Sequence, residues 1–548
     1  MNTRASERRV NPWVVLVVLS LGLFMTLLDL TIVNIAIPSL VDGIHASLDQ
    51  VLWVLNAYSL AYAVLLITSG RLGDLLGPRN LFVAGLVVFT AASACSGLAH
   101  DPVQLIAGRA AQGVGAAMLA PQTLPILLSL FPPERRGATF AVFGILAGVA
   151  VVAGPTVGGF LVTNVGWRWI FYVNLPVGVA VIVAAMVLVP DLRPGLRHRL
   201  DVLGVALATV GLFGVVFGLI EGQRYDWGTV TGILTIPEII GGGVTVLLVF
   251  LLHQALRQGR EPLLAFAVFR DRNFAAMTLV LLAMGFAILG LYLPLTIYYQ
   301  SVLGLSAIAA GLTVAIQPVS MLVSSGIANG PAGQRVGSKR LLVVGLLLLA
   351  AGSAYIAWRA QADSSRWDFV PGLVAGGLGM GCIWGPVFSL ATRDLRPELA
   401  GVASGVLNTI QELGAVIASA AVGALLQNRL ATALHDRSVE YAGQLPEQFR
   451  GRFVDGFGGG ARGGFEIGAG QTGGSVPLPP GLPAQVAQLL QQLAHATFAH
   501  AFVDSMRPTM VLPIAVLVAA ALITAVAAQG RVRAAAEPVS DGEVARAS

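Results

Sequence analysis

The chain is 548 residues long, 56% hydrophobic and only 11% charged, with a mean hydropathy of +0.79. That balance excludes a soluble domain, or a string of them, and makes lipid the solvent for most of the chain. The formal net charge of +5 is dispersed over many short loops rather than gathered on one face, so no nucleic-acid partner is expected.

A hydrocarbon core of roughly 30 Å takes about 20 apolar residues of helix to cross. In chain order, runs of that kind fall at 13–36, 51–70, 81–99, 103–128, 138–162, 168–190, 202–221, 230–252, 273–298, 307–329, 341–359, 369–391, 400–426 and 510–529. They predict an all-α polytopic membrane protein with fourteen spans. The first run follows Arg4, Arg8 and Arg9, as a secretory leader would. It is too long for one, carries Asp29 and lacks a small-residue cleavage site, so it is read as the first span.

Basic residues accumulate in cytoplasmic loops. Arg71, Arg79, Arg135, Arg136, Arg193, Arg197, Arg199, Arg257, Arg260, Arg270, Arg272, Arg335, Lys339, Arg340, Arg393 and Arg396 fall on the side of both termini, which adds Arg531, Arg533 and Arg546. The short loops opposite carry Arg168, Arg224, Arg359 and Arg366. Both termini are therefore expected in the cytoplasm. The two cysteines, Cys95 and Cys382, fall inside spans as small hydrophobes, so neither a disulfide framework nor a zinc site is expected.

Two loops repeat. Gly70-Arg71-Leu72-Gly73-Asp74-Leu75-Leu76-Gly77-Pro78-Arg79-Asn80, between spans 2 and 3, lies over Gly330-Pro331-Ala332-Gly333-Gln334-Arg335-Val336-Gly337-Ser338-Lys339-Arg340, between spans 10 and 11. The offset of eight spans is six plus an inserted pair, which fits a parallel duplication with the substrate site between the halves. The expected organisation is a cytoplasmic N-terminus at 1–12, a six-helix bundle at 13–190, inserted helices 7 and 8 within 191–272, a second bundle at 273–529 containing an extracellular loop at 427–509, and a cytoplasmic tail at 530–548. The repeat is unequal in charge: Gln334 stands over Asp74, and Ala375 over Arg109. Coupling is expected in the first half.

Asp29 and Arg109 each stand inside an apolar span, where a charge costs from about 2.5 kcal/mol upward and marks an ion or substrate pathway. Counting at 1.5 Å per residue sets both roughly 9–13 Å below the outer surface, so they can be neighbours. Such a pair can bind and release a proton as its surroundings open and close; it can equally be a static ion pair pinning helix 1 to helix 4.

At these residues the chain resembles the fourteen-span drug:proton antiporters of the major facilitator superfamily, over nearly its whole length. Leu28-Asp29-Leu30-Thr31-Ile32-Val33-Asn34-Ile35-Ala36-Ile37-Pro38 is similar to that family's first-helix signature. The Gly70–Asn80 loop resembles the superfamily's gating loop, with Gly70, Arg71, Gly73, Asp74, Gly77 and Arg79 in place, and Ile106-Ala107-Gly108-Arg109-Ala110-Ala111-Gln112-Gly113-Val114-Gly115 resembles the block associated with proton transfer. Gly148, Gly154, Pro155, Gly158 and Gly159 look like the antiporter block, and Trp167-Arg168-Trp169-Ile170-Phe171-Tyr172-Val173-Asn174-Leu175-Pro176-Val177-Gly178 adds a match at the sixth span.

The resemblance implies the major facilitator fold, two six-helix bundles plus the inserted pair, and export of amphipathic compounds in exchange for protons. It implies a bacterial plasma membrane, to which the excess of Arg over Lys also points, and a chain that works as a monomer. No cofactor is expected, the proton gradient being the energy source; H-E-x-x-H, G-x-S-x-G and Walker-type loops do not occur, and no enzyme activity is expected. The bland readings stand beside these: the Gly70–Arg79 loop as a tight turn with topology anchors, and the antiporter glycines as small-residue packing.

In span 13 the family more often has Gln where Glu412 stands. An extra acid suits a cationic substrate or a second proton, or hydrogen-bonds as the neutral acid across the bundle. Glu221 and Glu238, in the inserted pair, read as interfacial. Asn34, Tyr58, Tyr62, Gln112, Tyr298, Gln317, Trp384, Asn408 and Gln411 join Glu412 as candidates for a substrate cavity, where rings stack on flat or lipophilic compounds. In the 427–509 loop the middle, Gly456 to Gly474, reads as flexible, and Leu482–Ser505 as an amphipathic helix. Alternatives remain open: a dedicated exporter of one metabolite, lipid or antibiotic, a solute symporter, or a membrane receptor or scaffold that uses the outer loop.

Overall fold

Helix starts are encoded locally. In the computed structural model, which describes residues 11–44, 48–191, 201–222, 224–230, 232–258, 262–396, 399–462 and 484–527, α1 (Pro12–Ile32) opens on Asn11, whose side chain accepts from the Trp13 amide at 3.0 Å. The chain continues as α2 (Leu48–Leu76), α3 (Pro78–Gly97), α4 (Pro102–Leu119, resuming as Thr123–Leu130), α5 (Pro133–Asn164), α6 (Asn174–Leu188), α7 (Val202–Glu221) and α8 (Ile236–Leu256). Then follow α9 (Arg272–Ile297), α10 (Ala307–Val314 and Ile316–Asn329), α11 (Ser338–Arg359), α12 (Val370–Gly381 and Trp384–Ala391), α13 (Ala400–Ala442), α14 (Glu447–Arg462) and α15 (Ala484–Ala527). Asp101, Asp201 and Asp271 cap α4, α7 and α9, and Thr235 with Glu238 forms a capping box on α8. These side chains satisfy amides that a helix start leaves bare, which matters most where lipid offers no partner.

Among the described residues, thirteen helices are long and apolar enough to cross a membrane. The remaining expected span, 138–162, falls on α5, many of whose side chains lie outside the described residues. The protein is an all-helical, multi-pass membrane protein. Helices α1 to α6 pack as one bundle, and α9 to α13 with α15 as another. The two meet along α2 against α13, and along α5 against α10 and α12. Helices α7 and α8 pack mainly on each other, and α7 makes the more extensive contact with the body.

The duplicated loops are duplicated in backbone too. Gly77 (φ +89°) leads into α3 and Gly337 (φ +86°) into α11, a left-handed conformation that glycine adopts without steric cost.

The 427–509 segment is largely not a loop. Helix α13 runs on to Ala442, α14 follows, and the helix expected over Leu482–Ser505 begins at Ala484 and continues unbroken into the last span. The glycine-rich middle, expected to be flexible, is helical as far as Arg462, because Phe453 and Phe457 lie one turn apart and both are buried. They share a core with Leu430, Leu434, Phe498 and Phe502. Arg437 clamps this extension by pairing with Asp504 and Glu440, each at 2.7 Å. The arms 1–10 and 528–548, with Arg4, Arg8, Arg9 and the expected tail, lie outside the described residues, as does 463–483.

Candidate functional site

Two glycines let α4 approach its neighbours closely enough to bury a guanidinium. A Cβ on Gly108 would sit 2.4 Å from Ser96 Oγ on α3, and one on Gly113 would sit 2.4 Å from the Tyr58 carbonyl on α2. Arg109, between them, is 1% exposed and Asp29 is 0% exposed. Arg109 Nη1 bonds Asp29 Oδ2 directly.

Further hydrogen bonds hold both members of the pair. Arg109 Nε donates to the Val54 carbonyl at 3.2 Å and Nη1 to Gln112 Oε1 at 3.0 Å, while its carbon centre lies 4.5 Å from the middle of the Tyr58 ring. Asp29 Oδ1 accepts from Gln112 Nε2 at 3.1 Å and from Asn174 Nδ2 at 3.0 Å. Asn174 also donates to Ser93 Oγ at 3.1 Å, Ser93 donates to the Phe171 carbonyl at 2.9 Å, and Ser96 donates to Gln112 Oε1 at 3.3 Å. A buried charge pair survives only when its remaining lone pairs and protons are satisfied in this way. Helices α1, α2, α3, α4 and α6 all contribute, so the carboxylate reports on the packing of the whole first bundle.

Gln112, expected to line a cavity, spends its amide on holding Asp29 and Arg109. Asn174, in the sixth-span block, is a ligand of the carboxylate that the sequence does not single out; its signal is an amide inside an otherwise apolar run.

Two candidate blocks surround this centre. On α5, a Cβ at Gly154 would meet Thr31 Oγ1 at 2.0 Å and one at Gly158 would meet Ile32 Cγ1 at 2.8 Å, so both glycines press on α1 within a turn of Asp29. A Cβ on Gly159 would meet nothing within 4 Å among the described residues. Gly148 lies on the same helix, but how it packs, and the side chains of Pro155 and Asn34, fall outside the described residues. At the other end of α2, Gly70 lies against α13: its Cβ would be 2.8 Å from the Gly401 carbonyl and 3.0 Å from Gly405 Cα. Asp74 sits at the start of α13, where a Cβ on Gly401 would come within 1.9 Å of its Oδ1, and Arg71 lies 3.7 Å from it. A carboxylate at a helix N-terminus is favoured by the exposed amides there. Gly73 packs on Gln122, Gly77 makes the turn, and Arg79 bonds the Met186 carbonyl at the end of α6.

The remaining cavity candidates divide. Tyr58 and Tyr62 stack with ring centres 6.2 Å apart. Glu412, on α13 of the second bundle, is half-buried and within electrostatic reach of both rings. The three residues bridge the bundles beside the Asp29–Arg109 pair. Trp384, half-buried on the second segment of α12, stacks on Phe388 at 6.2 Å, and its indole N–H is buried with no partner among the described residues. Gln411 is partly exposed next to Glu412, while Asn408 returns its amide to the Ser404 carbonyl at 2.8 Å.

Gln317 lies apart from that cluster, inside the second bundle, accepting from the Tyr292 hydroxyl at 2.8 Å in a small cavity with Ile288, Ser353 and Met380. Tyr298 is farther still. It is fully buried at the end of α9, donating to the Gln361 carbonyl at 2.6 Å and packed edge-on to Phe369. The helix widens into a π turn over Tyr298–Val302 at this point.

Comparison with known proteins agrees with this architecture. The Major Facilitator Superfamily sequence model matches residues 19–419. An uncharacterised MFS-type transporter of Mycobacterium tuberculosis is 40% identical over 424 residues, covering 77% of this chain and 71% of its own. The tetracenomycin C resistance and export protein of Streptomyces glaucescens is 32% identical over 502 residues, covering 91% and 89%. The multidrug transporter protein MdtP of Bacillus subtilis is 30% identical over 435 residues, covering 78% of each. Among solved structures, the human organic anion transporter MFSD10 superposes with a TM-score of 0.55 over 92% of this chain and 99% of its own, at 14% identity, which speaks for the fold alone.

Proposed function

Because this chain belongs to the major facilitator superfamily, whose members are transporters of small molecules rather than enzymes, we propose that it is a proton-coupled antiporter exporting amphipathic compounds from a bacterial cytoplasm. One observation carries the reading: a carboxylate at membrane depth, held only by donors, with a guanidinium on one oxygen and two amides on the other.

A proton arriving at Asp29 Oδ2 takes the place of Arg109. The neutral acid no longer balances the guanidinium, which is left with the Val54 carbonyl, Gln112 and the Tyr58 ring. An unbalanced buried cation is costly, and the cost is relieved when α4 moves relative to α1 or when water reaches the site. Protonation and the packing of the first bundle are thereby one equilibrium. Gly154 and Gly158, seated on α1 next to this site, transmit the change to α5, which contacts the second bundle.

Glu412, with Tyr58 and Tyr62, supplies the substrate end: two stacked rings and one carboxylate suit a flat, positively charged molecule. The arrangement is fourteen spans with both termini cytoplasmic, alternating access between the bundles, and a monomer as the working unit. The Gly70–Gly401 contact and Asp74 at the start of α13 support a latch that holds the cytoplasmic end shut. A second reading, a dedicated exporter of one antibiotic, is favoured by the similarity to the tetracenomycin C exporter over 91% of the chain.

The test is ethidium flux in proteoliposomes under an imposed pH gradient. Gradient-driven accumulation is expected in the unaltered protein and lost in Asp29→Asn, with ethidium exchange retained; accumulation that Asp29→Asn leaves intact refutes the assignment.

A further inference from the structure

The inserted helices α7 and α8 have no part in the proton site, yet they are built as one stiff unit. A Cβ on Gly243 of α8 would lie 2.7 Å from the Val215 amide and 2.9 Å from the Gly211 carbonyl, so the two backbones nearly touch. Asp201 locks one end, accepting from the Gly204 amide at 3.0 Å, Gln254 at 2.8 Å, Arg257 at 3.1 Å and His253 at 3.1 Å. The outer face is lipid-like, with Leu248, Val249 and Leu252 exposed.

The inner face of α7 sits over the seam where the bundles meet, and it treats the two sides differently. Toward the first bundle it makes directed contacts. Glu221, 1% exposed, accepts from Asn56 of α2 at 3.1 Å and from its own Arg224 at 3.0 Å, and the Phe217 ring lies 5.9 Å from Trp53. Toward the second bundle the contact is aliphatic: Leu212 and Val216 share with Val416 and Leu413 of α13 a cluster that also takes in Leu60, Ala63 and Val64 of α2 in the first bundle. Among the described residues no hydrogen bond or ion pair joins α7 to α13. A buried carboxylate costs too much to uncover at every cycle, whereas aliphatic surfaces slide past one another in lipid with little change in energy.

We infer that the inserted pair is a lateral seal fixed to the first bundle through Glu221–Asn56 and Trp53–Phe217, and that it slides over α13 as the bundles rock. It keeps the α2–α13 seam closed to lipid and to lipophilic substrate throughout the cycle. The motion it accommodates is the alternating access proposed above, so the inference rests on that reading.

Spin-label distances separate the two. Labels are placed on cysteines at three exposed positions, Leu248 on α8, Val87 on α3 and Val344 on α11, in a background with Cys95 and Cys382 replaced by serine, and distances are read with and without ethidium at two pH values. The expected result is a fixed 87–248 distance while 87–344 and 248–344 change together. An 87–248 distance that varies with 87–344 overturns the seal and leaves alternating access standing. An unchanging 87–344 distance defeats alternating access, and the seal with it. In Glu221→Ala the 87–248 distribution is expected to broaden; a distribution as narrow as in the parent removes Glu221 as the anchor.

Discussion

Replacing Asp29 with Asn changes a single oxygen into an NH2 group, and the cage around that position admits no way to absorb it. Three donors face the carboxylate: Arg109 on Oδ2, and Gln112 and Asn174 on Oδ1. Whichever way the new amide turns, an NH2 meets a donor. Gln112 cannot turn to help, because its oxygen already accepts from Arg109 and Ser96; turning Asn174 gives up its donation to Ser93. The guanidinium also loses its counter-charge, and breaking a buried ion pair from one side costs about 3–5 kcal/mol. Asp29→Asn and Arg109→Gln are each expected to lose about that much, while the double variant, with no net charge to strand, loses no more than either. The assay is unfolding in detergent followed by tryptophan fluorescence. Losses in the double variant that equal the sum of the singles refute the coupling, and with it the idea that Asp29 and Arg109 act as one unit.

Other outcomes follow from the same geometry. Asn174→Ala removes one hydrogen bond to a buried carboxylate and is expected to cost roughly 1.5–3 kcal/mol, but little in an Asp29→Asn background; an equal loss in both backgrounds contradicts its role as a carboxylate ligand. Gly70→Val drives a side chain into the Gly401 carbonyl and Gly405, so it should favour the state open at that end, seen as faster maleimide labelling of a cysteine placed at the buried Ser404; unchanged labelling argues against the contact as a gate. Glu412→Gln is expected to impair export of ethidium more than that of an uncharged amphipathic dye, and equal impairment would count against charge recognition there. Burial alone would raise the Asp201 carboxyl, but donation from His253, Gln254 and the Gly204 amide outweighs it and holds the group below its ordinary value. A lowered native pKa stabilises above the unfolded value of about 3.9 and is lost as pH falls through the native one. The melting temperature should therefore drop on the acid limb below about pH 4, and drop less in Asp201→Asn; parallel acid limbs refute the linkage.

The membrane-spanning architecture was legible because lipid enforces it: apolar runs of sufficient length must be helices, and the charges left inside them need partners. The duplicated turn was legible for a different reason, since Gly77 and Gly337 occupy backbone conformations that few other residues tolerate. What the sequence hid is cooperative. Gln112 reads as a cavity amide until the position of Asp29 is known, and Asn174 gains its meaning only when α6 is packed against α1. Only the amphipathic helix at its end was legible in this extension, whose earlier part has the polarity of a loop; its stability comes from Leu430, Leu434, Phe453, Phe457, Phe498 and Phe502 meeting across three helices, a contact that no local pattern reveals. Glu221 read as interfacial, and only the contact with Asn56 makes it an anchor.

The central claim is that substrate and proton compete through Asp29. Its most direct test is proton release from the purified protein in weakly buffered detergent, followed with a pH-sensitive dye as ethidium is added. The account predicts release by the unaltered protein and none by Asp29→Asn, which still binds ethidium. Equal release by both proteins would contradict it.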